Sequence, residues 1–230
     1  ADFSGYRVIF APYLYMIKGD IAERLKGFVE QGGTLVTTTL SGLVDEHNRA
    51  VFGEYPGPLK ELLGIWVEET DALPPDEKNQ ICMEEGSGFT EKSYSCGFHC
   101  DVIHTREANV LGRYGMDFYQ GTPVVTKNSY GKGQAYYLGT EPDEKFLAEL
   151  ARVICSEQEL AAPYQTVGNV ELTERVNEKY KTVFALNYDK EQEAEIDLKD
   201  ETFTELITGK TLTGKAKIPA YDLLVLRKDI

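Results

Sequence analysis

Apolar and polar positions follow two regimes along the chain. Up to about residue 160, apolar runs of strand length mix with segments of helical period. Residues 6–11 (YRVIFA) form an unbroken run of the kind a strand buried on both faces requires. From Asp20, the apolar residues Ile21, Leu25, Phe28 and Val29 share one helical face. Asp20 and Glu23 read as a capping-box-like pair, and Gly32-Gly33 ends the helix. Residues 34–39 (TLVTTT) are the next strand, so strand, helix and strand predict a parallel pair with a right-handed crossover.

A loop-rich stretch (SGLVDEHN, GEYPGP) leads to a short helical piece at 59–63 and a strand at 65–68, where Trp66 reads as a core residue. Two prolines and several acids make 70–79 a surface loop. Strand-like segments follow at 80–84, 100–104 and 109–114. Residues 123–128 and 134–139 flank SYGKG as a hairpin. Thr140 is placed to cap a helix over 142–156, with Phe146, Leu147, Leu150, Val153 and Ile154 as its stripe.

Ala161-Ala162-Pro163 reads as a linker. Beyond it lie only short alternating runs, at 171–176, 182–187, 194–198, 203–207 and 221–226. In the third run Ala194, Ile196 and Leu198 oppose Glu195 and Asp197, the pattern of a half-solvated antiparallel sheet. The expectation is therefore an α/β domain over 1–160 and a small all-β antiparallel domain, a β-sandwich, over 164–230. With about three helices where a doubly wound sheet needs both faces covered, the first domain reads as N-terminally truncated.

Composition adds exclusions. The 230 residues carry a formal charge of −14, with 10 basic against 13 acidic residues in 164–230. Such a surface repels phosphate backbones and anionic lipid, so neither nucleic acid nor membrane is expected as a partner. No apolar run approaches the ~20 residues that span a bilayer. Neither a signal peptide nor a disulfide framework is visible among Cys82, Cys96, Cys100 and Cys155, which points to a cytoplasmic setting.

Chemistry-bearing patterns are few. Cys96, His99, Cys100 and His104 resemble a zinc cluster, but along a strand the cysteines lie about 13 Å apart, and no metal or other cofactor is expected. A glutaminase-type nucleophile needs a glycine-flanked cysteine on a sharp turn. Cys82 is followed by acids and Cys155 lies on a helix. Asn177-Glu178 sits between two predicted strands, as a turn. SYGKG lacks the spacing of a phosphate loop. Loops after parallel strands are where α/β sheets bind ligands, which marks Ser41, Asp45 and Glu46, with Tyr55 nearby, as interface or pocket-rim candidates.

Several long segments carry a resemblance: DFSGYRVIFAPYLYMI, AERLKGFVEQGGTLVTTTLSGLVDE, GEYPGPLKELLGIWVEETDAL, CDVIHTREANVLGRYG and DFYQGTPVVTKNSYGKGQAYYLGT. In order and spacing they resemble the trimerisation domain of family 42 β-galactosidases, and the tail ending in IPAYDLLVL resembles the small C-terminal domain of the same enzymes. The resemblance implies a three-layer, amidotransferase-like (flavodoxin-like) domain and a homotrimer. It also implies a galactoside substrate handled by a catalytic barrel upstream, where both catalytic glutamates lie, so no catalytic residue is expected in this chain. The alternative is a carbohydrate-binding module in which Tyr180, Tyr188 and Tyr221 stack on sugars.

Overall fold

The computed structural model describes residues 2–230, which separate into two compact units, the first ending at Glu159 and the second spanning Leu160–Ile230. Unit 1 runs β1 (Val8–Ala11), β2 (Met16–Ile17), α1 (Ile21–Glu30), β3 (Thr34–Thr38), β4 (Val44–Asp45), α2 (Lys60–Leu63), β5 (Ile65–Ala72), β6 (Asn79–Met83), β7 (Ser93–Thr105), β8 (Asn109–Tyr114), β9 (Pro123–Tyr130), β10 (Gly133–Leu138), β11 (Thr140–Pro142) and α3 (Glu144–Glu157). The main sheet has the order β1-β3-β10-β9-β8-β6-β7-β11, with β5 also paired to β7.

Only β1–β3 and β3–β10 are parallel in this sheet; its other pairings are antiparallel. Parallel pairing, expected of a doubly wound sheet, is thus confined to three strands, and the sheet is mixed. A parallel pair needs a crossover of a dozen or more residues. α1 supplies one between β1 and β3, whereas the chain from β5 to β10 contains no helix and pairs antiparallel instead.

Side chains alternate between two cores. Leu35, Ala135 and Tyr137 pack with Leu25, Phe28 and Val29 of α1 and Leu62 and Leu63 of α2. Val36, Tyr136 and Leu138 pack on the other face with Phe146, Leu150 and Ile154 of α3. A central sheet with helices on both faces makes three layers.

Several local expectations are corrected. Asp20 makes no capping bond and instead pairs with Arg24 at 2.9 Å, while Glu23 bonds Lys26. Thr140 is buried in β11. The cap of α3 is Asp143, whose Oδ1 accepts the Phe146 N–H at 2.9 Å and whose Oδ2 accepts the Ser95 N–H at 3.0 Å. Because Asp143 ties a helix start to β7, D143A is expected to lower stability by about 1–2 kcal/mol in urea unfolding. Leu147 is 47% exposed, off the buried stripe. Residues 70–72 continue β5 rather than opening a loop, since Thr70, Asp71 and Ala72 pair with β7 beyond a bulge. Trp66 is only half-buried. Ile65 and Val67 take the inward positions of the strand, and Trp66 stacks on His104 with ring centroids 4.1 Å apart.

Unit 2 contains β12 (Gln165–Val167), β13 (Val170–Val176), β14 (Tyr180–Asn187), β15 (Ala194–Glu205), β16 (Thr211–Ile218) and β17 (Leu223–Asp229), all antiparallel. Where the sequence suggests a sandwich, the strands form one continuous sheet. β15 breaks register against β16 between Asp197 and Thr202, and an irregularity of this kind bends a strand. Ala194, Ile196 and Leu198 point inward with Phe203, Val183 and Leu226. Among the described residues no helix is long and apolar enough to cross a membrane.

Candidate functional site

The chemistry of unit 1 concentrates at the C-terminal ends of its parallel strands. Ala11, Thr37 and Tyr137 stand side by side across β1, β3 and β10. Beyond them a carboxylate, Asp101 of β7, is fully buried. Its Oδ1 accepts hydroxyls from Thr39 (2.9 Å) and Thr70 (2.6 Å), and its Oδ2 accepts the Tyr137 phenol at 2.6 Å. The Asp101 N–H donates to the Gly139 carbonyl at 2.7 Å. Tyr137 has one proton and gives it to Asp101, so in the 3.5 Å contact between phenols Tyr55 is the donor. Burial raises the Asp101 pKa above the ordinary carboxylate value, and the hydroxyls of Thr70, Tyr137 and Thr39 pull it partly back.

A second layer sits over this base. The loop after β1 is pinned from below: the Tyr13 N–H donates to Thr38 Oγ1 at 2.9 Å and the Leu14 N–H to Ser41 Oγ at 3.0 Å. The Tyr13 hydroxyl donates to Glu141, whose carboxylate also lies 3.0 Å from His99 Nδ1. Phe98 packs edge-on to His99 at 4.4 Å, and Tyr13 faces the same imidazole at 6.2 Å. Tyr13 and Phe98 both hold positive φ, 49° and 65°, a conformation unusual for bulky residues that tends to mark functional surfaces. Despite this bracing they are 42% and 47% exposed, and Tyr15 and Met16 nearby in sequence are similarly open. The result is a braced aromatic platform with one shared carboxylate.

The residues singled out from sequence fall around this site in different ways. Ser41 is fully buried and 2.7 Å from Thr37 Oγ1. Because Thr37 donates to the Ala11 carbonyl, Ser41 donates to Thr37, and its role is to hold the loop beneath the platform. Asp45 accepts the N–H groups of His47 and Arg49 and pairs with the Arg49 guanidinium at 2.7 Å, which lowers its pKa to about 2. It shapes the turn at 45–49. Glu46 is exposed and accepts the Gly19 N–H. Tyr55 is half-buried and reaches Asp101 through Tyr137. The sequence reading missed Asp101, Tyr137, Tyr13, Phe98 and Glu141. A lone acid inside the buried run Cys100–Ile103 was the signal available for Asp101.

Chemically the site combines exposed aromatic rings with one shared carboxylate. Asp101 is sealed beneath hydroxyls. A cavity of about 760 Å³ lies elsewhere, near the starts of β1 and β3, with Asp2 the one acid lining it. A second, of about 340 Å³, holds Glu91 and Asp143, the latter already engaged as a cap. Cys96 and Cys100 are buried in the core, His99 faces Glu141 and His104 faces Trp66. Burial pushes the Cys96 thiol up to about 12, away from nucleophilic character. Among the described residues no three of His, Cys, Asp or Glu converge as a metal cluster.

Two family profiles match: that of the β-galactosidase trimerisation domain over residues 1–161, and that of the β-galactosidase C-terminal domain over 169–228. A β-galactosidase of Planococcus sp. (strain L4) is 42% identical over 99% of this chain and 33% of its own length. One from Clostridium perfringens is 39% identical, again over 99% and 33%. The crystal structure of the β-galactosidase from Bacillus circulans sp. alkalophilus superposes with a TM-score of 0.93 at 44% identity, over 99% of this chain and 34% of that one. A catalytic mutant of a family 42 β-galactosidase from G. stearothermophilus gives 0.87 at 34% identity, covering 100% and 33%. The chain spans about a third of the length of the curated relatives it matches.

Proposed function

Because the chain belongs to glycoside hydrolase family 42, matching its trimerisation and C-terminal domains, we propose that it serves in assembly, and that bond cleavage belongs to a part of the enzyme other than these two units. In this reading residues 1–160 are an amidotransferase-like assembly domain and 164–230 a small β domain. The whole protein is a cytoplasmic homotrimer that hydrolyses terminal β-D-galactosyl residues with retention.

The observation that carries the reading is the platform of Tyr13, Phe98, His99 and Glu141. It is aromatic, half-exposed and fixed by backbone bonds from below, the combination that marks anchor residues at protein interfaces. The chemistry of the acids supports the second half. Retaining glycosidases need two carboxyl groups about 5–5.5 Å apart around a sugar. Asp101, the buried acid with a raised pKa, is surrounded by hydroxyls and closed to a substrate. The two-faced sheet with α1 and α2 on one side and α3 on the other supports the amidotransferase-like description.

Light scattering of the 230-residue chain tests this directly. A trimer is expected, with a nitrophenyl galactoside left uncleaved. Replacing Tyr13 and Phe98 together by serine is expected to weaken association about a thousandfold, each lost anchor costing about 2 kcal/mol. A monomeric wild-type chain, turnover of the galactoside, or a double variant that still forms trimers at nanomolar concentration would each count against the proposal.

A further inference from the structure

Unit 2 presents a pair of tyrosines that its own core does not use. Tyr188, just past β14, is 48% exposed, and Tyr221, just before β17, is 67% exposed. Small β domains ordinarily bury such rings, and here Tyr164 and Phe203 fill the core instead. The loops that carry the two tyrosines are fastened to each other. Asn187 is buried, and its Nδ2 donates to the carbonyls of Gln192 (2.8 Å) and Pro219 (3.0 Å). Its Oδ1 accepts the Asp189 N–H at 3.0 Å, and its own N–H donates to the Asp222 carbonyl at 2.9 Å. The Tyr221 N–H donates to the Asp189 carbonyl at 2.7 Å, and Tyr221 is held at φ 52°, a positive value that bulky residues seldom adopt.

Each ring has a polar neighbour. The Tyr188 hydroxyl donates to Glu171 Oε2 at 2.9 Å, and the Lys190 ammonium lies 5.8 Å from the centroid of Tyr221. Two exposed aromatic side chains, a carboxylate, and an ammonium over one face of Tyr221, all on hydrogen-bonded loops, offer stacking for a flat apolar surface and hydrogen bonds for hydroxyls around it.

We propose that Tyr188 and Tyr221, flanked by Glu171 and Lys190, form a subsite for a neutral pyranoside ring. The C–H face of a pyranose stacks on the rings, Glu171 accepts a sugar hydroxyl and Lys190 donates to another. A single-stranded nucleic acid would also stack, but it requires a basic groove, and this unit is acidic overall. The subsite lies in a different unit from the assembly platform and does not depend on it.

The test is an amide NMR titration of the 230-residue chain with methyl β-galactopyranoside and with lactose, using glycerol as an open-chain polyol. Saturable shifts at residues 188–192 and 219–222 with millimolar affinity are expected for the sugars and not for glycerol. Tyr188→Ala and Tyr221→Ala should each weaken binding at least tenfold while the remaining amide resonances stay in place, showing that the fold persists. Tyr221→Phe should bind as the wild type does. Tyr180→Ala, at the other end of β14, should leave binding unchanged. Absence of saturable shifts at high millimolar sugar, equal shifts with glycerol, or binding indifferent to both alanine variants would overturn the proposal.

Discussion

Replacing Asp101 by leucine is expected to destabilise unit 1 by about 4 kcal/mol or more, enough to leave much of it unfolded at room temperature. The reason is the number of donors it would strand. Thr39, Thr70 and Tyr137 all spend their single proton on this carboxylate, and Thr39 and Tyr137 are themselves fully buried. A buried donor without an acceptor costs about 1–3 kcal/mol. D101N keeps the shape and one carbonyl acceptor, and the Tyr137 phenol can turn to accept from the new amide, so a smaller loss of about 1–2 kcal/mol is expected.

The pair of variants also gives a pH signature. Burial raises the Asp101 pKa in the fold above the unfolded value of about 3.9. A raised acid favours the folded state only while it is protonated. Its cost is absent below the unfolded pKa and complete above the folded one, so wild-type stability contains a term that falls as pH rises between them. The carboxamide that D101N introduces cannot titrate. The melting-temperature gap between wild type and D101N should therefore be widest near pH 4 and narrow toward neutrality, as followed by circular dichroism; a gap that widens with pH would refute the assignment.

Whether a feature could be read from the sequence depended on how local its cause was. The β1–α1–β3 unit is written in runs and periods that touch only near neighbours, and it is present as a parallel pair. The hairpin at Gly131-Lys132 is equally local. The remaining pairings depend on which strands meet after long returns. β7 is a case in point. Its 13 residues pair with β6, β5 and β11 in turn, which no alternation within residues 93–105 discloses. The same holds for the site. Ser41 stood out by position after β3, but Asp101, Tyr137 and Thr70 come from three separate strands and become a cluster only through the fold. Caps were misread for a related reason: Thr140 has the right chemistry, but its backbone is already committed to β11, which leaves the role to Asp143 three residues on.

The junction beneath that cluster should be the least tolerant of added volume. Gly133 opens β10 where α1 ends and β3 begins. A Cβ built there would lie 2.2 Å from the carbonyl oxygens of both Gly33 and Val29. These are backbone atoms at the end of α1 and the start of β3, and the nearby Gly33 N–H is already bonded to the Phe28 carbonyl, so neither can withdraw without opening the helix end. Phe28 closes the junction from the other side, with its ring within 2.5 Å of where a Gly33 Cβ would stand. G133A must therefore displace β10 from β3, and that register is what sets Tyr137 beside Thr37 and delivers the Gly139 carbonyl to Asp101. Overpacking of a close core contact costs about 1–3 kcal/mol and more where backbone must move, so a loss of about 3 kcal/mol or more is expected by urea unfolding. Gly121→Ala is a poor control, because its φ of 82° is itself strained for alanine, whereas Gly27→Ala meets nothing within 4 Å and lies within α1. G27A should match or slightly exceed the wild type, since alanine is the better helix former. Equal unfolding midpoints for G133A and G27A would mean that the α1–β3–β10 junction is not the close contact on which the register of the parallel strands, and with it the platform above them, depends.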